Sequence, residues 1–370
     1  MKLTNKFLIG FMAIAACGCG QKQSDNPLLN DFTTPYGIAP FEEITIDNYR
    51  EGILLGMEEQ KAEIEAIINN PEEPTFQNTI VAMDQSGKLL RKVRGTFSPL
   101  TSSNSTEESR ALEKELSPLM SAHSDDINLN EKLFARVKKV YDNRENIKLT
   151  PEEKTVLENI YKRFVNSGAE LSETEKEKLR ELNQQLSMLE LTFSQNLLHE
   201  TNNTFVVANS LEELKGLPQA NIDAAAKMAA DNGQPGKWMF NMQRPSCNPV
   251  LQYCENRDLR KKVYDAYYNR GNTGNEYDSK EICRQLVTLR LEKAKLMGYN
   301  NYAEMVLEDR MAKTPEAVFE LLDQVWEPAV AKAKEELDDI RAEIRKAVPG
   351  QGSQNSGSLL RQRRHRCISC

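Results

Sequence analysis

A run of apolar residues at helical spacing constrains the fold of this chain more than any other feature. Between Lys176 and His199, apolar side chains recur at three- and four-residue steps and so share one helical face. They are Leu179, Leu182, Leu186, Leu189, Phe193 and Leu197. The same period dominates from Ile44 to about Lys346. The chain is therefore predicted to be mainly α.

Capping patterns mark the starts of two helices. Ser172 with Glu175, and Thr150 with Glu153, have the spacing of a capping box, in which each side chain bonds the other's backbone amide. Further helices are predicted over residues 47–69, 75–95, 106–122, 130–145, 219–232, 256–269, 278–297, 300–309 and 315–347.

Few segments favour strands. Thr204 to Ala208 is rich in β-branched and aromatic residues, and Trp238 to Met242 is a second candidate. A small sheet set among helices is therefore predicted. The formal net charge of −7 does not favour a nucleic-acid partner. The low content of glycine and proline, 18 and 15 residues, excludes collagen and low-complexity chains.

The N-terminus has the pattern of a secretory signal. Lys2 and Lys6 precede the apolar stretch Phe7 to Ala16, which is too short to remain as a membrane-spanning helix. Residues 1–16 are therefore predicted to be a signal peptide. The chain is accordingly expected to be exported to the periplasmic side of a membrane or to the cell envelope.

Ile14-Ala15-Ala16-Cys17 resembles the bacterial lipobox, in which the cysteine after the cut is lipid-modified. Cys17 is the predicted lipid-attachment site, and Cys19 is the alternative. A plain signal peptide cut nearby, with an incidental cysteine, is the other interpretation. Residues 17–30 would then form a polar tether that is too poor in apolar residues to pack.

The remaining cysteines of the body say little. A Cys247–Cys254 bridge is conceivable in an exported protein, but free thiols are the favoured interpretation, for Cys283 as well. Cys367 and Cys370 form a lone CxxC near His365, without a second ligand pair. The favoured interpretation of that end is an artefactual, disordered tail.

Histidine is scarce. The chain has three, His123, His199 and His365, and no two lie four positions apart, so there is no HExxH zinc helix. His199-Glu200 is the nearest match, but Asn203 stands where the second histidine should be. The favoured interpretation is a helix end at which a histidine meets the helix C-terminus. No catalytic residue and no metal ligand is therefore predicted.

The body of the chain nevertheless resembles a family of zinc metallopeptidases, that of thimet oligopeptidase, oligopeptidase A and bacterial peptidyl-dipeptidase (dipeptidyl carboxypeptidase). The resemblance runs from about Pro40 to Ile344 and is strongest towards the dipeptidyl carboxypeptidase branch. It depends on the order and spacing of many short segments. They are Pro40 to Ile44, Pro74 to Ile80, Ser86-Gly87, Leu157 to Leu171, Arg257 to Arg260, Arg270-Gly271, Leu289 to Ala294, Leu296 to Tyr299 and Met311 to Pro315.

The resemblance implies a two-lobed helical fold around a channel that admits short unfolded peptides. It also implies a zinc ion held by two histidines of HExxH and a later glutamate. None of these residues has a counterpart here. For Arg270-Gly271 and Met311-Ala312, roles in helix ends and packing are expected. Residues 31–348 are thus interpreted as the helical N-terminal part of such an enzyme.

Residues 349–370 differ abruptly in composition from the rest. The last twelve carry four arginines and no acidic residue, which predicts a frameshifted or mispredicted end. Two hypotheses follow. The chain is a truncated, inactive peptidyl-dipeptidase, or it is a non-enzymatic, membrane-anchored lipoprotein that binds peptides or a partner.

One helix of the truncated chain is expected to be left uncovered. An apolar stripe on the helix from Pro315 to Ala347 should pack on elements that are missing, and so remain exposed. The stripe comprises Val318, Leu321, Leu322, Val325, Trp326 and Val330.

Overall fold

The computed structural model describes residues 24–347 of the chain, and over that range it is mainly α, as predicted. The helices are α1 (Ile46–Ile68), α2 (Ala82–Gln85), α3 (Lys88–Ser103), α4 (Glu107–Asn128), α5 (Glu131–Asp142), α6 (Pro151–Asn166), α7 (Glu173–Asn203), α8 (Gln219–Asp231), α9 (Arg244–Tyr253), α10 (Arg257–Tyr268), α11 (Lys280–Leu296), α12 (Tyr302–Leu307) and α13 (Pro315–Ala347). The strands are β1 (Phe205–Ala208) and β2 (Trp238–Asn241). Shorter 3-10 turns lie at Pro27–Leu29, Pro35–Gly37 and Leu211–Leu214, and a π-helical turn at Phe76–Val81.

The two predicted capping boxes are confirmed. Thr150 Oγ1 accepts a hydrogen bond from the Glu153 amide at 3.2 Å, and the Glu153 carboxylate accepts one from the Thr150 amide at 2.8 Å. Ser172 and Glu175 make the same reciprocal pair at the start of α7. Each box satisfies amides that the first helical turn leaves without a partner, which is why these helices begin where they do.

The single helix predicted over residues 75–95 is wrong. The chain forms the π-helical turn and α2, breaks at Ser86-Gly87, and then continues as α3 to Ser103. Gly87 has a left-handed backbone, with φ at 67°, which interrupts the helical path. Its amide donates to the Glu63 carboxylate at 2.7 Å, and that bond holds the break in place.

Two further elements differ from the prediction. Helix α9 was not predicted, because it is short and contains Pro245 and Pro249. Pro245 lies in the first turn, where a proline is tolerated, whereas Pro249 lies inside the helix. The helix buries Cys247, Val250 and Leu251. Helix α4 continues to Asn128, beyond the predicted end at 122.

The prediction that the tether is too polar to pack is wrong for its described residues, 24–30. Leu28 is completely buried there, and Asn26 is only 2% exposed. The Asn26 side chain caps the first 3-10 turn and donates to the Asn48 carbonyl at 2.9 Å and to the Glu51 carboxylate at 3.0 Å. This stretch therefore joins the helical body through one apolar side chain and one buried amide. The predicted signal peptide and Cys17 lie outside the described residues.

The described residues divide into two compact units, where the sequence was interpreted as one helical region over 31–348. The first unit comprises residues up to 73 and 77–112, and the second comprises 74–76 and the residues from 113 onward. In the first unit, α1 packs against α3 at very close range. A Cβ atom on Gly56 would lie 2.8 Å from the Leu90 Cα atom, so only glycine permits this approach of the two backbones.

In the second unit, β1 and β2 pair antiparallel, with Phe205 opposite Asn241. Both predicted strands are thus confirmed, and α8, α9 and α10 cover the two-stranded sheet. Val206, Phe240, Met242 and Val263 lie at the centre of the resulting apolar core. Within residues 24–347, no helix combines the length and the apolar content needed to cross a bilayer.

Candidate functional site: the loop held by Glu200

The end of α7 carries the His199-Glu200 pair that comes nearest to a zinc motif. The helix does not end at His199, as the sequence suggested, but continues to Asn203, with Thr204 as its C-cap. Asn203 Nδ2 donates to the His199 carbonyl at 3.0 Å and lies 3.3 Å from His199 Nδ1. The residue in place of the second zinc histidine therefore bonds back to the first one.

Glu200 is buried, with 2% of its surface exposed, and it anchors a loop that follows α10. Its Oε1 atom accepts hydrogen bonds from the Thr273 hydroxyl at 2.6 Å and from Asn275 Nδ2 at 2.8 Å. Its Oε2 atom accepts the Gly271 amide. One carboxylate thus binds three donors from a segment more than seventy positions away in sequence.

The hydrogen bonds decide the protonation state of this carboxylate. Burial alone would raise the pKa of Glu200, but the bonds from Thr273, Gly271 and Asn275 outweigh it and hold the pKa below its ordinary value. Glu200 is therefore ionised at neutral pH. A buried carboxylate that meets three donors serves as an anchor for the loop.

The loop itself is closed by further internal bonds. The Ser279 amide donates to the Gly271 carbonyl at 2.8 Å, and the Gly274 amide donates to the Asp278 carboxylate at 2.7 Å. The pKa of Asp278 is lowered to about 2, first by the hydrogen bond from the Lys280 side chain and then by the hydrogen bonds from the backbone amides of Lys280 and Gly274. Gly271 and Gly274 both have positive φ, at 72° and 75°, which allows the tight path.

Arg270 fastens the same loop to the end of α7 from its other side. Its Nη1 atom donates to Thr201 Oγ1 at 2.7 Å, its Nε atom donates to the Tyr267 carbonyl at 2.8 Å, and its guanidinium lies 3.9 Å from the Tyr267 ring centre. These contacts agree with the packing role expected for Arg270-Gly271. The end of α7 is also bonded to the residue that follows β2, because the Met242 amide donates to the Thr201 carbonyl at 3.0 Å.

The geometry does not fit a zinc site at His199-Glu200. Both carboxylate oxygens of Glu200 already accept hydrogen bonds from the loop, and the His199 ring stacks on Tyr277 with 3.7 Å between ring centres. Over the described range, no three His, Cys, Asp or Glu side chains come together in a group that could hold a metal ion. Zinc needs several such ligands converging on one point. The arrangement orders a loop and supplies no metal centre.

A second polar network joins α4, α7 and α11. Lys293 Nζ donates to Asn183 Oδ1 at 2.6 Å, and Asn183 Nδ2 donates to Asp125 Oδ1 at 2.8 Å. Burial lowers the pKa of Lys293, and burial also raises the pKa of Asp125 despite the hydrogen bond from Asn183. The Asn183 amide therefore accepts a hydrogen bond from the Lys293 ammonium and donates one to the Asp125 carboxylate. Arg290 and Glu190 form a further α11–α7 ion pair at 2.7 Å.

The other residues that the sequence singled out do not converge with Glu200 on a common site. Cys247 and Cys254 are buried free thiols and Cys283 is an exposed free thiol, so the favoured interpretation without a bridge is confirmed. Met311 is fully exposed. Cys17, His365, Cys367 and Cys370 lie outside the described residues.

The apolar stripe on α13 is exposed, as expected. Leu321, Leu322, Val325 and Trp326 are between 51% and 69% exposed, and Phe319, which is not part of the predicted stripe, is 62% exposed. Val318 and Val330 are half-buried.

The anchoring role of Glu200 was not predicted, because its hydrogen-bond partners are remote in sequence and no local pattern marks them.

The sequence of this helical body is similar to those of peptidases of family M3. Residues 250–356 match the model of that family, described as "Peptidase family M3", and this stretch contains α10, the anchored loop and α11 to α13. The predicted resemblance to these metallopeptidases is therefore confirmed. The match runs to residue 356, past the predicted start of the unrelated tail at 349.

Individual relatives agree. The chain is 35% identical to dipeptidyl carboxypeptidase of Escherichia coli over 89% of its own length and 48% of that protein. It is 33% identical to dipeptidyl carboxypeptidase of Salmonella typhimurium, over 89% of this chain and 48% of the relative. Its identity to oligopeptidase A of Haemophilus influenzae is 30%, over 85% and 46%. The chain thus spans about half the length of the curated relatives it matches.

Proposed function

We propose that this chain forms the helical, non-catalytic part of a metallopeptidase of the dipeptidyl carboxypeptidase kind. Such an enzyme would hydrolyse short unfolded peptides and release dipeptides from their C-termini. The observation that carries the proposal is the 35% identity to a dipeptidyl carboxypeptidase over 89% of this chain. The relatives reported above are all named as peptidases, so they lend no support to a non-enzymatic binding lipoprotein.

The zinc ion that the family implies has no fitting residues here. The 370-residue sequence contains no HExxH, and the one His-Glu pair is engaged in holding the loop after α10. The chemical step therefore belongs to polypeptide that corresponds to the remaining half of the relatives. The role left for this chain is to supply helical framework for the peptide site.

An activity assay tests this division of roles. The purified chain, supplied with Zn²⁺ and short peptides, is expected to release no dipeptides above background. Dipeptidyl carboxypeptidase of Escherichia coli under the same conditions is the positive control. Release of dipeptides by the chain alone, abolished by a chelator, would show that the catalytic residues are present and would contradict the proposal.

The gene supplies an independent test of truncation. If the chain is a truncated enzyme, the DNA just past the codons for Pro349 to Gly352, read in another frame, should continue the family and encode HExxH. A downstream sequence without that motif in any frame would remove the truncation hypothesis.

We also propose that the chain is an exported lipoprotein, attached through Cys17. The supporting pattern is the charged start, the apolar stretch Phe7 to Ala16 and the small residues before Cys17. Metabolic labelling with a radioactive fatty acid is expected to label the wild-type chain and Cys19→Ser, but not Cys17→Ser. If both variants are labelled alike, Cys17 is not the attachment site. A wild-type chain that takes up no label would refute the anchor.

A further inference from the structure

A short segment before α1, residues 36–41, exposes three large apolar side chains. Tyr36 is 99% exposed, Ile38 is 56% exposed and Phe41 is 46% exposed. Outside α13, no other stretch of this length in the described chain exposes as many. Single exposed apolar residues are ordinary, whereas a cluster of them marks a surface that meets an apolar partner.

The backbone at Tyr36 is also unusual. Its φ is 62°, and in the described part of the chain Lys313 is the one other non-glycine residue with a positive value. A left-handed backbone is unfavourable for a bulky aromatic residue, and such outliers concentrate where function requires them. Because the Tyr36 side chain is almost completely in solvent, packing within residues 24–347 does not offset this cost. The turn therefore holds an aromatic side chain outward.

The stretch just before the 36–41 segment is fixed to the first unit. Leu28 is completely buried and Asn26 is 2% exposed. From α3, Lys92 Nζ donates a hydrogen bond to the Asn30 carbonyl and lies 4.5 Å from the centre of the Phe32 ring. Only residues 18–23 therefore separate the proposed lipid-attachment site from the stretch that joins the helical body.

This short separation limits how far the first unit can lie from a bilayer. A fully extended chain rises by about 3.3–3.6 Å per residue, so the steps from Cys17 to Ser24 span at most about 25 Å. If Cys17 carries lipid, as proposed above, Ser24 is held within that distance of the headgroups. Along the chain, the 36–41 segment is the first cluster of exposed apolar side chains after this point.

We propose that the 36–41 segment is a membrane-contact surface, whose apolar side chains enter the interface of the bilayer that holds the lipid anchor. Tyr36 suits that place because a tyrosine ring is apolar and its hydroxyl is polar. Ile38 and Phe41 supply further apolar area, with which the strength of interfacial binding increases. The inference rests on the proposed lipid attachment at Cys17, since the anchor brings this surface to the bilayer.

The charges around the segment decide which lipid surface it fits. Between Ser24 and Asn48 the chain has five acidic residues and no lysine or arginine. Glu42 and Glu43, which follow Phe41 directly, are both exposed. Anionic lipids create a negative surface potential that repels carboxylates, so the segment fits a surface of zwitterionic headgroups. Contact is therefore made by apolar insertion and not by charge.

Quenching by brominated lipid tests the contact. The full chain with its lipid, carrying Tyr36→Trp, is reconstituted into vesicles of phosphatidylcholine and phosphatidylethanolamine, with and without bromine on the acyl chains. The signal of the wild-type chain, which comes from Trp238 and Trp326, is subtracted. The emission of the introduced tryptophan is expected to fall by about twofold or more with bromine, because its ring lies at the interface.

The matched control is Leu211→Trp. Leu211 is 60% exposed and, like Phe41, is followed by two glutamates, but no other exposed large apolar residue lies near it in sequence. Its emission should be the same with and without bromine. Equal quenching at both positions would show general closeness to the bilayer and would overturn the proposal.

A charge placed within the segment separates insertion from closeness. Ile38→Glu, added to Tyr36→Trp, keeps the anchor and should abolish the quenching, whereas Leu211→Glu in the same background should not. A larger share of phosphatidylglycerol should weaken the quenching. Unchanged thermal unfolding shows that each variant keeps its fold. Quenching that survives Ile38→Glu, or that requires phosphatidylglycerol, overturns the proposal.

The mass of the purified chain distinguishes this inference from the lipid attachment on which it rests. A lipid-bearing chain without quenching refutes the contact surface and leaves the attachment intact. A chain without lipid refutes the attachment, and it keeps the contact surface only if Tyr36→Trp is still quenched on added vesicles. Self-association that Ile38→Glu abolishes would assign the segment to a second copy of the chain and overturn the proposal.

Discussion

Asn275 donates a hydrogen bond to the buried carboxylate of Glu200 at 2.8 Å, across 75 positions of sequence. With the Thr273 hydroxyl and the Gly271 amide, this bond fastens a glycine-containing loop to the last turn of α7. The loop lies within residues 250–356, the stretch that matches the model of Peptidase family M3. What looks in sequence like a defective zinc motif is thus the anchor of that loop.

Replacing Glu200 by glutamine should destabilise the protein. Glutamine keeps one acceptor oxygen, but its NH2 group cannot accept hydrogen bonds from the loop donors that face it. At least one of these donors therefore loses its partner at the buried side chain. We expect a loss of about 1 to 3 kcal/mol in the free energy of unfolding, measured by urea titration. Hydrogen exchange should also show faster exchange of the Gly271 amide.

The matched control for that variant is Glu276→Gln, which neutralises an exposed carboxylate in the same loop. It should leave stability within a few tenths of a kcal/mol of the wild type. If the two variants behave alike, the hydrogen bonds to Glu200 contribute nothing specific.

The pH dependence of stability should reveal the same carboxylate. Because the pKa of Glu200 is held below its ordinary value of 4.5, its contribution is fully present above that pH and is lost as the pH falls further. The stability difference between wild type and Glu200→Gln should therefore be constant from neutral pH to about pH 5 and shrink below it. A difference that grows in acid would contradict the assignment.

Asn183 should be less replaceable than its half-exposed position suggests. Replacement by leucine leaves the Lys293 ammonium and the Asp125 carboxylate without the amide that joins them. We expect about 2 to 4 kcal/mol of destabilisation, since buried charges that lose their partners are costly. Gln184→Leu, at the next, exposed position of α7, is the control and should change stability little.

Two glycine-to-alanine changes should act in opposite directions. Gly56→Ala would place a Cβ atom 2.8 Å from the Leu90 backbone, so α1 and α3 must move apart at a cost of about 1 to 3 kcal/mol. Gly95→Ala meets nothing within 4 Å and removes a flexible residue from α3, so it should stabilise by about 0.5 to 1 kcal/mol. Thermal unfolding of the two variants checks both signs. If both variants are stabilised, or both destabilised, contact with the neighbouring backbone is not what distinguishes the two sites.

The sequence was informative where structure depends on local patterns. Thr150 and Ser172 cap their helices because a capping box needs only residues three apart, and both strands were found from β-branched and aromatic content. The break at Gly87 was missed, since its left-handed backbone is fixed by Glu63, 24 positions earlier. Helix α9 was missed because its prolines obscure a short pattern that tertiary packing stabilises.

The site was predicted less well than the fold. The sequence could not indicate what Glu200 does. Its three partners belong to a loop that follows two strands and three helices, and only the assembled unit brings them together. The exposed face of α13 could be predicted, because a helical stripe is visible in the sequence of the helix itself.

The border between the two units has a practical consequence for anyone who divides this protein into smaller pieces. Its last crossing along the chain falls within α4, between Leu112 and Glu113, and the buried residues Leu112 and Leu116 lie on either side of that point. A fragment cut there would end in half a helix, with carbonyls and apolar side chains newly bared to water. Cuts before Glu107 or after Asn128 would keep the helix whole. Protease digestion should likewise spare the border and act in the connections that flank α4.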